Sequence, residues 1–95
     1  MEFEWDEGKR LSNLEKHGID FNRARTIWRG DVIDPAADRR VEDEVRRLAL
    51  GVVGEDEIVI AVVYTDRGEV RRIISARRAT RYERQRYQSE FGRGG

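Results

Sequence analysis

The segment Arg71-Arg72-Ile73-Ile74-Ser75-Ala76-Arg77-Arg78-Ala79-Thr80-Arg81, followed by Tyr82-Glu83-Arg84-Gln85-Arg86-Tyr87, sets a dense group of guanidinium side chains around a strand pattern and the start of a helix. Guanidinium is a permanently charged planar fork that matches two phosphate oxygens, so arginines at this density point to a polyanion, with nucleic acid as the first candidate. The formal net charge of the chain is zero, yet residues 70–95 carry eight arginines against Glu83 and Glu90, a local excess of six positive charges. Residues 1–69 carry the matching excess of acid. That balance leaves two readings open: Arg72, Arg77 and Arg78 converge on a phosphate, or they pair with carboxylates from the acidic first two thirds of the chain.

His17 is the only histidine, and its ordinary pKa of about 6.5 lies near neutrality. A protonated imidazole could donate to a leaving 5′ oxygen, and a neutral one could accept a proton from a ribose 2′ hydroxyl. The alternative is a histidine that serves only the last carbonyls and the dipole of the first helix. On the wheel of the last helix, Tyr82 lies near Ala79 and is expected in the core. Tyr87 lies apart and is the better candidate for a ligand contact, since tyrosines in an arginine-rich helix can stack on bases. With one histidine and no cysteine, the familiar structural zinc arrangements are excluded. Gly51-Val52-Val53-Gly54 lacks the lysine of a phosphate-binding loop, and the spacing of Asp34, Asp38 and Glu42 is not distinctive of a Mg²⁺ site. Phosphodiester chemistry on this chain is therefore expected to need no metal and no cofactor. That points to RNA, whose own 2′ hydroxyl is the nucleophile while arginines stabilise the charged phosphorane.

The elements that must hold these groups follow from periodicity. Phe3 and Trp5 alternate with Glu2 and Glu4 as in an edge strand. Asp6 caps a helix expected over 7–16, with Leu11 and Leu14 toward the core and Lys9, Asn13 and Lys16 on the opposite side, and Gly18 ends it. Asp20 caps a second helix in which Phe21, Ala24, Ile27 and Trp28 recur at helical spacing, ended by Gly30. Val32-Ile33 reads as a short strand and 34–44 as an exposed connection around Pro35. Strands are expected over 45–53, 57–65 and 69–77, the middle one apolar enough to be covered on both faces. On the last strand, simple alternation puts Arg72, Ile74 and Ala76 on one face and Arg71, Ile73, Ser75 and Arg77 on the other. A helix over 80–91 and a frayed tail from Gly92 to Gly95 complete the chain.

Residues 1–95 thus read as a single α+β domain in which two N-terminal helices and a C-terminal helix pack on a mainly antiparallel sheet. A chain of this length buries only roughly 60 to 65 per cent of the surface it exposes when unfolded, so its core must be thin. The absence of cysteine, of a long apolar run and of a signal-like start leads to the expectation of a cytoplasmic protein with no membrane partner.

Beyond these readings, the chain resembles the BrnT toxins of type II toxin-antitoxin modules. The likeness runs through Phe3-Glu4-Trp5-Asp6, Lys9, Asn13, Lys16-His17-Gly18-Ile19, Phe21 and Ala24. It resumes at Arg47, Gly51 and Thr65-Asp66-Arg67, and is close in Arg72-Ile73-Ile74-Ser75-Ala76-Arg77-Arg78-Ala79-Thr80, Glu83-Arg84 and Tyr87. The resemblance implies a RelE-like fold and a ribonuclease that cleaves RNA and blocks translation. It also implies neutralisation by a BrnA-like antitoxin whose ribbon-helix-helix domain binds operator DNA, so that the toxin meets DNA only through its partner. Family members often carry a histidine before the second long strand, where this chain has Asp38-Arg39-Arg40. On this pattern Lys9, Lys16, Arg46 and Arg78 hold RNA phosphates, Arg72 and Arg77 stabilise the transition state, His17 transfers a proton, and Tyr87 stacks on or orients a base. The competing reading is a non-catalytic module that docks an acidic partner or assists a DNA-binding antitoxin as co-repressor.

Overall fold

A computed structural model of the protein describes residues 1–92, so the tail expected from Gly92 lies, beyond that residue, outside the described residues. The elements in chain order are β1 (Glu2–Glu4), α1 (Glu7–His17), α2 (Phe21–Ala24) with a 3₁₀ continuation (Arg25–Arg29), β2 (Arg39–Val41), β3 (Glu44–Val53), β4 (Ile58–Arg67), β5 (Val70–Arg78) and α3 (Arg81–Phe91). The strands form one sheet in the order β1-β5-β4-β3-β2, with β1 parallel to β5 and every other pair antiparallel. The α+β architecture is as expected. The 34–44 connection differs: its end folds into β2, which pairs with β3 around a turn in which Glu42 takes a left-handed conformation, φ 57°. Ile33 contributes one bridge to Leu50 rather than a strand.

Two apolar layers sandwich the sheet. On one side, the helix face, Ile19, Phe21, Ala24 and Ile27 pack on Ala49, Val53, Ile60, Val62, Ile73 and Ala76. Gly51 belongs to this face, where a Cβ would lie 2.6 Å from that of Ile27, so only glycine lets the 3₁₀ segment approach β3 this closely. On the other face Tyr87 and Ala79 pack with Leu50, Val59 and Ala61. That leaves the rest of this second face without a helical cover. The cap residues act as their types require: Asp6 accepts from the Lys9 amide at 2.9 Å, Gly18 enters the left-handed region at φ 71°, and Thr80 and Glu83 form a reciprocal capping box.

Alternation along β5 is broken. Val63 pairs with Ser75 but the next residue, Tyr64, pairs with Ile73, so Ile74 is the extra residue of a bulge. Ile73 and Ala76 consequently share the helix face, while Arg72, Ser75 and Arg77 come together on the second face. The grouping expected from strict period two is overturned by that one residue.

The first helix is rolled relative to expectation. Leu11 and Leu14 are 54% and 37% exposed, and Asn13 is buried at 7%. The reason lies in the sheet edge. β1 pairs with β5 only as far as Glu4 opposite Arg72, so beyond Arg72 the outer backbone edge of β5 has no strand beside it. The Asn13 carboxamide takes the place of the missing strand: its Nδ2 donates to the Ala76 carbonyl at 2.8 Å, its Oδ1 accepts from the Ala76 amide at 3.1 Å, and Nδ2 also donates to the Ile19 carbonyl at 3.0 Å. Leucine at that position would strand an N–H and two carbonyls in the core. Asn13→Leu is therefore expected to lower the unfolding free energy by about 2–4 kcal/mol, from unsatisfied buried backbone groups, in urea titrations followed by circular dichroism. A loss under about 1 kcal/mol would contradict this account.

Candidate functional site

The uncovered part of the second face is floored by Leu48, Val63 and Ser75, which lie side by side in register across β3, β4 and β5. Ala36, Ala37, Arg39, Val41 and Arg46 wall a cleft of about 350 Å³ above this floor. The next two rows of the same face are ionic. Arg72 donates to Glu4 at 2.8 Å, Arg67 lies 3.8 Å from Glu4 and 2.5 Å from Glu44, and Glu44 lies 3.8 Å from Arg46. Charge thus alternates across the sheet from Arg72 through Glu4, Arg67 and Glu44 to Arg46. The Arg67 guanidinium holds the Glu44 carboxyl below the usual carboxylate range.

Arg46 is the exception within these rows. Its Nε is buried and has no hydrogen-bond partner among the described residues. A buried guanidinium N–H without an acceptor is costly, while the rest of the Arg46 side chain, one-third exposed, lines the cleft where an anionic oxygen can meet its terminal nitrogens.

Arg77, on the same face, is differently placed. Both its terminal nitrogens grip Glu83 of α3, at 2.7 and 2.9 Å, while the same carboxylate accepts from the Thr80 amide. The Arg77 guanidinium holds the Glu83 carboxyl down at about 2. This arginine ties the start of α3 to the end of β5. Arg71 is likewise satisfied, bidentate on Asp66 at 2.7 and 3.0 Å, with its guanidinium 4.4 Å from the Tyr64 ring centroid and 4.9 Å from that of Trp28.

The structure divides the residues selected from sequence. Arg46, Arg72 and Arg77 share the second face. Lys9, Lys16 and His17 are exposed on α1, which lies at the outer edge of β5, and Arg78 pairs with Ile60 of the helix face. None of these four lines the cleft. The two tyrosines are exchanged relative to expectation: Tyr82 is 64% exposed, while Tyr87 is 7% exposed, packs at 5.0 Å on Phe91 and donates its hydroxyl to the Asp31 carbonyl at 3.0 Å. Burial pushes the Tyr87 phenol up, with Asp31 and Glu57 adding to it, so it remains a protonated donor. The wheel failed here because α3 meets the sheet through its last turns, beside Val52 and Ile33, rather than through its first. Sequence reasoning did not single out Glu4, Glu44, Arg67 or Ser75. Their signal is positional and becomes visible only once the bulge fixes which side chains share a face.

A mixed sheet with α2 and its 3₁₀ continuation on one face, and α3 beside a guanidinium-walled cleft on the other, defines a small α+β domain suited to a polyanionic ligand. A family model described as "Ribonuclease toxin, BrnT, of type II toxin-antitoxin system" matches residues 5–83. The chain belongs to that family and is a ribonuclease toxin of a type II toxin-antitoxin module. A comparison with curated proteins gives no match.

The Arg77–Glu83 pair carries a pH signature. A carboxyl whose folded-state pKa is depressed from 4.5 to about 2 adds stability that is fully present above 4.5 and is lost as pH falls toward 2. Glu83→Gln is expected to cost about 1–2 kcal/mol at pH 7, discounted for the partial exposure of Arg77, and to flatten the acid limb between pH 4.5 and 2. Unfolding curves across that range check it, and an unchanged acid limb in the variant would disprove the assignment.

Proposed function

We propose that the protein is a cytoplasmic, metal-independent endoribonuclease of RelE-like mechanism that blocks translation by cutting RNA in the cleft above Leu48, Val63 and Ser75. The carrying observation is Arg46, whose Nε has no hydrogen-bond partner among the described residues and whose partly exposed guanidinium walls a cleft with room for a phosphate. In this reading Arg46 and Arg39 hold the scissile phosphate. Arg72 and Arg67 exchange their exposed carboxylate partners for phosphate oxygens as charge develops on the phosphorane. The ribose 2′ hydroxyl gives its proton to water as it attacks the adjacent phosphorus and closes a 2′,3′-cyclic phosphate, the P–O5′ bond breaks, and the leaving oxygen takes up a proton from water. Guanidinium groups supply the charge stabilisation that a metal would otherwise give. Arg77 acts by holding α3 in place, and in this reading His17, Lys16, Lys9 and Arg78, which do not line the cleft, take no part in bond cleavage. Tyr87 supports the core, which leaves exposed Tyr82 as the tyrosine of α3 available to RNA. A BrnA-like antitoxin with a ribbon-helix-helix domain is the proposed neutralising partner and the route to operator DNA.

A second reading, a non-catalytic module that docks an acidic partner or serves as co-repressor, draws support from the ion pairs that already engage Arg72 and Arg77. Purified protein with RNA in EDTA separates the two. Cleavage should persist in EDTA, fall about 100-fold or more in Arg46→Ala, and change less than about threefold in His17→Ala, each variant being folded. Cleavage abolished by His17→Ala and retained by Arg46→Ala would refute this site. Salt-dependent RNA binding without cleavage would establish the second reading.

A further inference from the structure

We infer that the outer edge of β1 docks an extended acidic and aliphatic segment of the antitoxin, which joins the sheet beside β1 and sets its side chains on both sheet faces. The inference deepens the proposed antitoxin partnership and rests on it. β1 is an edge strand whose inner side pairs with β5, and it ends the sheet. Edge strands invite strand addition unless charge, brevity or a bulge protects them. β1 is short and carries two charges, Glu2, which is exposed at its start, and Glu4, which is turned away from the edge onto Arg72 and Arg67.

Side chains of an added strand would alternate between the two faces. On the helix face they would meet a slot of about 300 Å³ formed by Met1, Phe3, Trp28, Arg25, Arg29 and Arg71. Three arginines line it and no carboxylate does. Arg71 has Asp66, but no ion pair among the described residues involves Arg25 or Arg29. Such a slot selects an aliphatic side chain flanked by carboxylates. A stacked base is less well served, because Trp28 is already engaged by Phe3 at 5.5 Å, by the edge of Tyr64 at 5.2 Å and by the Arg71 guanidinium. On the second face the alternate side chains would lie over Arg72 and Arg67, where a carboxylate can replace Glu4 and extend toward the cleft. Main-chain hydrogen bonds would supply affinity and the two faces would supply specificity.

The test uses the full chain and a synthetic peptide of alternating Leu and Glu ending in Asp, with a Lys-for-acid control peptide. Titration by fluorescence anisotropy and amide exchange by NMR should show binding of the acidic peptide alone and slowed exchange within Glu2–Glu4. Arg25→Glu combined with Arg29→Glu should weaken it about tenfold or more while RNA cleavage is unchanged. Protection confined to the β2 edge, or equal affinity in the double variant, would overturn the proposal. So would a single-stranded RNA oligonucleotide that loses affinity in the double variant while the peptide does not. Peptide binding as described in a protein that cuts no RNA would uphold the dock and refute the nuclease reading, so the two fail separately.

Discussion

The exchange of hydrogen bonds between Asn13 and Ala76 fixes more of this molecule than any apolar contact does. β1 is too short to cover the outer edge of β5, and backbone groups left there inside the core would each cost on the order of 1–3 kcal/mol. A side-chain amide is the one group on α1 that both donates and accepts at that point. Satisfying it sets the roll of α1, which turns Leu11 and Leu14 outward. It also accompanies the bulge at Ile74, because the slip that brings Ala76 to the helix face is the same slip that brings Arg72, Ser75 and Arg77 onto the second face. The composition of the cleft is thus a consequence of how one sheet edge is closed.

Arginines already paired with carboxylates can still serve an anionic ligand, and magnitude decides which of them do. Ion pairs between partly exposed side chains contribute about 0–1 kcal/mol each, so a phosphate that offers two oxygens to Arg72 or Arg67 replaces Glu4 or Glu44 at little cost. Arg77 and Glu83 are another matter. Their bond is bidentate, Glu83 is the more enclosed partner, and the same carboxylate closes the capping box of α3. Pulling Arg77 away would release a helix end as well as a charge. The arginines of this chain therefore divide into exchangeable and structural sets by the burial and second duties of their acidic partners, a division that a count of charges does not contain.

Much of the fold is legible in the sequence because it follows from local chemistry. Asp6, Asp20 and Thr80 begin helices, Gly18 ends one, and the apolar run from Val59 to Val62 is buried on both faces. What is not legible depends on contacts between distant segments. Nothing near Ile74 announces a bulge, since its register is set by pairing with Val63 and Tyr64. Asn13 in mid-helix is a weak helix former, and that was the available sign that its amide had a tertiary partner. β2 was hidden because Arg39-Arg40-Val41 is charged and short, and it forms a strand only through its pairing with β3. The arginine cluster stands out in the sequence, but which guanidiniums remain open is set by Glu4, Glu44 and Glu83, residues from three different elements.

Glu4 links the cleft to the sheet edge. It belongs to β1, it lies beside the unpaired side of the sheet, and its carboxylate is the partner of Arg72 on the cleft face. Any change at the β1 edge that displaces this carboxylate alters the charge available to a phosphate one row away, and a bound phosphate that takes Arg72 frees Glu4 in turn. Occupancy of the two places is therefore coupled through a single exposed ion pair, and linkage requires the coupling to act equally in both directions. Because that pair is weak, the coupling it can transmit is small by itself. Exclusion of RNA by a partner would then depend on the partner's own carboxylates reaching Arg72 and Arg67, and on the number of guanidiniums it occupies at once.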